Sequence, residues 1–272
     1  MMTLAQVKES AEALRSQNLQ KPLVGIVLGT GLNDLAGHIE NGITVVYDAL
    51  PHFPKATVEF HKGQLIFGTI AGVAVVVMQG RFHYYEGYTM QQITFPVRVM
   101  KELGIAYLLL SNASGGMNPD FKKGDLIIVE DHLNLLPDNP LRGLPNDFGN
   151  KFVDMSQPYD ERLQSLLAEA ISKQNLPVKK GVYVSVMGPN LETRAEYRWL
   201  RSTGADMVGM STVPEVIVAA QLGIKCAAVS VITDECDPDN LQPVNIAEII
   251  EIAGGADKKL SAVFIDVIQN IS

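Results

Sequence analysis

Nine short runs of β-branched and aliphatic residues recur along the chain, and stretches of helical periodicity separate most of them. The runs fall at 23–28, 42–47, 64–70, 73–78, 106–111, 125–130, 181–187, 205–210 and 225–233. Helical spacing marks the N-terminus (Leu4, Val7, Ala11, Leu14), then 90–103 around Pro96, 159–174, 192–202, 213–222 and 245–270. Repeated strand-then-helix order predicts α/β layering, a central sheet flanked by helices. Only Ala71-Gly72 separates 64–70 from 73–78, which predicts a hairpin and so a mixed sheet. No repeat, low-complexity tract or linker interrupts the pattern, so residues 1–272 are expected to form a single domain. The segment 136–158, with Pro137, Pro140, Gly143, Pro145 and Gly149, is too long for a plain connector. Such loops usually serve a site or an interface.

Composition narrows the function. Hydrophobic residues make up 47% of the chain and mean hydropathy is +0.12, enough for a large core. Net charge is −8 and the pI is near 5.1, which argues against nucleic acid or an anionic membrane as partner. No apolar run reaches the roughly 18 residues of a membrane span, and the first residues form a charged amphipathic pattern unlike a signal peptide. Two cysteines, Cys226 and Cys236, do not make a disulfide framework. A cytoplasmic protein is expected.

Polar residues gather where predicted strands end, the place where open α/β sheets bind ligands. After the first run comes Gly29-Thr30-Gly31, small residues that let backbone N–H groups approach an anion. A dinucleotide fingerprint is absent, because Asp34 stands where its third glycine belongs. Alone, the pair of glycines would serve equally as a turn. The fourth run empties into QGRFHYYEG, where Arg81 and His83 match the geometry of a phosphate. A surface pairing of these residues with Glu86 is the plainer alternative. SNASGGMNP after the fifth run reads as a turn with exposed donors, and Ser211 or Thr212 as the N-cap of the helix containing Pro214. The five histidines, His38, His52, His61, His83 and His132, lack metal-ligand spacing, so no metal site is expected. A GxSxG elbow is also missing. The residues alone imply an anion pocket with aromatics and two carboxylates, Glu192 and Asp234.

The ordered blocks GTGL, GRFHYYEGY, TFPVRV, NASGGMNP, NPLRG, GPNLET and GADMVGMSTVPEV resemble the trimeric purine nucleoside phosphorylases, over about residues 22–270. That family shares its superfamily with methylthioadenosine phosphorylase. The resemblance implies phosphorolysis of purine nucleosides, such as inosine and guanosine, to free base and ribose 1-phosphate. Phosphate is then a co-substrate, and no metal or organic cofactor is implied. The phosphate ligands carried over are Thr30, His61, Arg81, His83, the backbone at Ala113, and Ser211. Tyr85, Tyr183 and Met210 would line the sugar, Glu86 would steady the phosphate site, and Glu192 and Asp234 would read the base. His83 is counted with those two carboxylates as catalytic. The resemblance further implies a homotrimer in which Phe152 crosses an interface.

Three positions depart from the pattern. Asp234 stands where 6-oxopurine enzymes have an asparagine, and an ionised aspartate can only accept hydrogen bonds. It must be protonated, turned away, or opposite an amino group, which leaves 6-aminopurine nucleosides such as methylthioadenosine as the alternative substrates. A proton shared between Glu192 and Asp234 is one resolution. Leu191 replaces a stacking phenylalanine, and Ile246 falls where a histidine would reach the 5′-hydroxyl. A non-catalytic nucleoside-binding protein on the same fold would be expected to lack Arg81, His83 or Glu192. All three are present.

Overall fold

Apolar side chains alternate along the central strands, and the two resulting sets face different helices. The computed structural model describes residues 2–55, 57, 62–243 and 245–271. Its strands are β1 (Val24–Leu28), β2 (Glu40–Val46), β3 (Gln64–Ile70), β4 (Val73–Gln79), β5 (Tyr107–Gly116), β6 (Leu126–Asn134), β7 (Lys179–Ser185), β8 (Met207–Gly209) and β9 (Lys225–Glu235). The helices are α1 (Leu4–Arg15), α2 (Met90–Leu103), α3 (Glu161–Lys173), α4 (Arg194–Ser202), α5 (Val213–Gln221) and α6 (Ile246–Gln269). From β1, Val24 and Ile26 pack in the cluster containing Leu167 of α3 and Leu260 and Phe264 of α6. Val27 joins the opposite cluster, with Leu14 of α1, Val97 of α2 and Val216 of α5. Strand β5 divides likewise, Leu109 to the first cluster and Leu108 and Leu110 to the second. Period-two alternation with both faces apolar is what a sheet covered on both sides requires.

The nine strands form one mixed sheet in the order β2-β3-β4-β1-β5-β8-β7-β6-β9. β9 also pairs with β5 in parallel, so β5, β8, β7, β6 and β9 close into a ring. β4, β1, β5 and β9 run parallel to one another. The expected hairpin is present: β3 and β4 pair antiparallel, and Ala71 (φ 49°) and Gly72 (φ 78°) both adopt the left-handed conformation of a tight turn. α2 runs through Pro96 without a break.

Two expectations need correction. SNASGG does not form an exposed turn. β5 continues to Gly116, with Asn112 and Ser114 buried and their backbone laddered against β9. Their polar side chains are satisfied inside the sheet: Asn112 Oδ1 accepts from Ser230 at 2.5 Å, and the hydroxyls of Ser114 and Ser230 lie 2.6 Å apart. Thr212 does stand at the N-cap of α5, but its side chain makes no capping bond and its φ is +70°. For a β-branched residue that conformation is strained, and such strain concentrates at functional sites.

Candidate active site

Beyond the carboxyl ends of β4, β1, β5 and β9 lies a cavity of about 350 Å³. Thr30, Arg81, His83, Tyr85, Ala113, Leu191, Glu192, Met210, Ser211, Asp234 and Ile246 all line it. Residues more than two hundred positions apart in sequence therefore share one cavity.

Close approach of β1 and β5 forms its floor. A Cβ on Gly29 would lie 2.8 Å from Ser111 O and from Asn112 Cα, so only glycine fits, and its N–H donates to Ser111 Oγ at 3.1 Å. The following turn is tied to α6, because Asp257 Oδ2 accepts the N–H groups of Asn33 at 2.6 Å and Asp34 at 2.7 Å.

Arg81 forms the cationic wall. Only 2% of it is exposed. Nη1 donates to Ser111 O at 2.7 Å and to Ser211 Oγ at 3.2 Å, and Nε lies 3.2 Å from Glu215 Oε1. The plainer expectation, a surface pair with Glu86, is thus corrected: Arg81 pairs inside the protein with a carboxylate of α5. Its Nη2 is buried and has no hydrogen-bond partner among the described residues. Leaving such a donor unmet costs about 1–3 kcal/mol. Ser211 and Thr212 bring the N-terminus of α5 to the same wall, and Asn112 Nδ2 holds Thr212 Oγ1 at 2.8 Å.

His83 sits beside it with a different partner. Nδ1 lies 2.9 Å from Glu86 Oε1, which also accepts the His83 backbone N–H at 2.7 Å, while Thr57 donates to the other carboxylate oxygen. Burial pulls the His83 pKa below its ordinary value, against the upward pull of Glu86. Burial raises Glu86, but hydrogen bonds from His83 and Thr57 outweigh it and hold the carboxyl below its usual range. The pair is therefore a neutral imidazole donating Nδ1–H to a carboxylate. Tyr85 stacks on the imidazole, centroids 4.7 Å apart and planes at 13°, and burial pushes its hydroxyl up to about 12.

The opposite end of the cavity holds Glu192 and Asp234. Burial raises the Glu192 pKa and the charge of Asp234 adds to the shift, against a hydrogen bond from Tyr197. Asp234 is held on both oxygens: Thr233 donates to Oδ1 at 3.1 Å and Cys236 to Oδ2 at 3.0 Å. Leu191 and Ile246 are partly exposed at the rim, 39% and 57%.

Two expected residues are not brought to this cavity. Tyr183 is fully buried behind it, and its hydroxyl accepts the Ser211 N–H at 3.3 Å, so it supports the wall from behind. Phe152 is 93% exposed on the long loop and lines no part of the cavity. His61 lies outside the described residues. Conversely, the sequence reading missed Glu215, Tyr197, Cys236 and Asp257. Glu215 had a signal, a lone carboxylate within the apolar helix VPEVIV. The others carry no pattern until the fold brings them together.

A buried guanidinium with an unpartnered Nη2, sharing a cavity with two carboxylates, suits a site of group transfer involving an anion. The chain belongs to the phosphorylase superfamily, whose model matches residues 23–269. It is 49% identical over 267 residues to purine nucleoside phosphorylase 1 of Bacillus subtilis, covering 97% of this chain and 96% of that protein. It is also similar to the solved Schistosoma mansoni purine nucleoside phosphorylase in complex with inosine, with TM-score 0.92 and 39% identity over 99% of this chain and 98% of that one. A complex of the Schistosoma mansoni enzyme with adenosine is equally similar, with TM-score 0.93 and 38% identity, covering 99% and 98%.

Proposed function

We propose that the chain cleaves purine nucleosides with inorganic phosphate, giving free base and ribose 1-phosphate, with inosine and guanosine preferred. The observation that carries this reading is Arg81: a buried guanidinium at the cavity wall whose Nη2 has no protein partner among the described residues. A phosphate oxygen would satisfy it, with Thr30, Ser211 and the Ala113 backbone as further ligands. His83, its Nδ1–H held by Glu86, lines the same cavity and would add a hydrogen bond to the phosphate.

The chemistry follows from where charge develops. As the C1′–N9 bond breaks, its electrons pass to the purine and the ribose becomes oxocarbenium-like. The bound phosphate would stabilise that cation and then bond to C1′. Glu192 would accept from the base N1–H. Asp234, protonated, would donate to N7 as negative charge builds there. The Asp234 charge is one cause of the raised Glu192 pKa, and uptake of one proton by the pair as the base binds would relieve that repulsion.

One observation favours the second reading, in which 6-aminopurine nucleosides are turned over. Thr233 and Cys236 both donate to Asp234, an arrangement that suits an ionised carboxylate, which would accept from a 6-amino group. Phosphorolysis of inosine, guanosine, adenosine and methylthioadenosine by wild type and Asp234→Asn tests both. Preference for inosine and guanosine with a mild effect of the substitution supports the first reading. Preference for a 6-amino nucleoside that Asp234→Asn reverses establishes the second.

The working enzyme is read as a cytoplasmic homotrimer in which Phe152 of one subunit covers the nucleoside of its neighbour. Phosphate is a co-substrate, and no metal or organic cofactor enters the reaction. The 93% exposure of Phe152 supports the cross-subunit role.

A further inference from the structure

Arg98, on α2, is a second buried arginine, 2% exposed, and it makes no ion pair among the described residues. Its Nη2 donates to Gln221 Oε1 at 2.7 Å, and its guanidinium lies 4.9 Å from the centre of the Phe148 ring. Burial pulls its pKa down to about 10. A cation held dry against an amide and a ring face is an unfavourable way merely to fill space. Its partner passes the contact onward. Gln221 closes α5, and its Nε2 donates to the carbonyls of Phe148 at 3.3 Å and Asn150 at 3.0 Å. Asn150 then grips Phe152 from both sides: Oδ1 accepts the Phe152 N–H at 3.0 Å, and Nδ2 donates to the Phe152 carbonyl at 2.7 Å.

Hydrogen bonds thus run without a break from α2 through the end of α5 to the backbone of Phe152. The side chain at the end of that path is left in water. A loop fixed this firmly around an exposed phenylalanine presents the ring instead of burying it. We propose that Gln221, oriented by Arg98, is a positioning residue that sets Phe152 for the nucleoside site of a neighbouring subunit. The proposal rests on the cross-subunit reading of Phe152 above. Ordering the loop beforehand removes an entropy cost that nucleoside binding would otherwise carry. Nucleoside affinity in one subunit then depends on an amide in another.

Gln221→Glu separates this role from folding. The carboxylate pairs with Arg98 at least as well, but it has no N–H for the carbonyls of Phe148 and Asn150. The experiment measures kcat, KM for inosine, KM for phosphate and thermal melting in wild type, Phe152→Ala, Gln221→Glu and the double variant. Phe152→Ala should raise the inosine KM roughly tenfold, and Gln221→Glu about three- to tenfold. Phosphate KM and melting temperature should hold in Gln221→Glu, and the double variant should match Phe152→Ala alone. Asn150→Ala, at an exposed position, should reproduce the KM effect and serves if Gln221→Glu does not fold. If Phe152→Ala raises KM while Gln221→Glu and Asn150→Ala leave it unchanged, or if the effects multiply in the double variant, the inference is overturned and the reading of Phe152 stands. If Phe152→Ala itself leaves KM unchanged, that reading falls and the inference falls with it.

Discussion

Nε of Arg81 lies 3.2 Å from Oε1 of Glu215, both side chains almost wholly buried, so the charge at this wall of the cavity is that of an internal ion pair. Removing one partner of a buried pair leaves an uncompensated charge and typically costs about 3–5 kcal/mol. Glu215→Gln should therefore melt at a lower temperature in phosphate-free buffer. Phosphate should recover more of the loss than it adds to wild type, because the unpaired guanidinium then faces only the ligand. Melting curves with and without phosphate decide this, and equal phosphate shifts in the two proteins would show that Glu215 does not face the ligand charge.

Arg81 serves Ser111, Ser211 and the free cavity edge at once through a planar fork. Lysine keeps the charge but cannot make those contacts together. Arg81→Lys should raise the phosphate KM on the order of 10²-fold while the inosine KM changes far less. Initial rates against each substrate check the split.

The His83 pKa is depressed on folding, chiefly by burial. Its neutral form is the one the fold prefers, so its contribution to stability is present above the unfolded value of roughly 6.5. That contribution is lost as pH falls from there through the folded value. Melting temperature followed from pH 8 downward should show this loss in wild type, and His83→Gln should lack that part of the decline. Parallel curves would remove His83 from the titration.

Glu192 shifts the other way, raised by burial and then by the charge of Asp234. Its ionised form is needed to accept from N1–H, so the inosine KM should climb as pH falls through the raised pKa. Asp234→Asn removes the repelling charge and should move that limb to lower pH. A pH profile of kcat/KM for both proteins measures the displacement, and an unmoved limb would mean that the two carboxylates are not coupled.

Much of this architecture was legible because apolar periodicity carries the sheet and its helices. The hairpin at Ala71-Gly72 needed only turn chemistry. Asn112 and Ser114 misled, because polar residues beside two glycines resemble a turn unless their partner Ser230 is known, and Ser230 lies on a different strand. That Tyr183 lies one layer behind the cavity was hidden for a similar reason: period two tells which face a strand residue takes, not how deep it sits. Asp257 could not be found at all, since its value lies in a turn more than two hundred residues away. Arg81 and His83 were found because arginine and histidine at a strand end are rarely needed for packing.

β5 belongs at once to the open sheet through β1 and to the closed ring through β8 and β9. Its amides should accordingly be among the slowest to exchange with deuterated solvent, and Ala113, which lines the cavity, shares in that protection. The Glu192 end of the cavity is carried by different material, residues 189–192 and the first turns of α6. Exchange there should be fast without ligand and slow once a nucleoside binds. On the proposed function, half of the site would be built in advance by the most persistent part of the molecule and half completed by the nucleoside, an arrangement that would let phosphate arrive first.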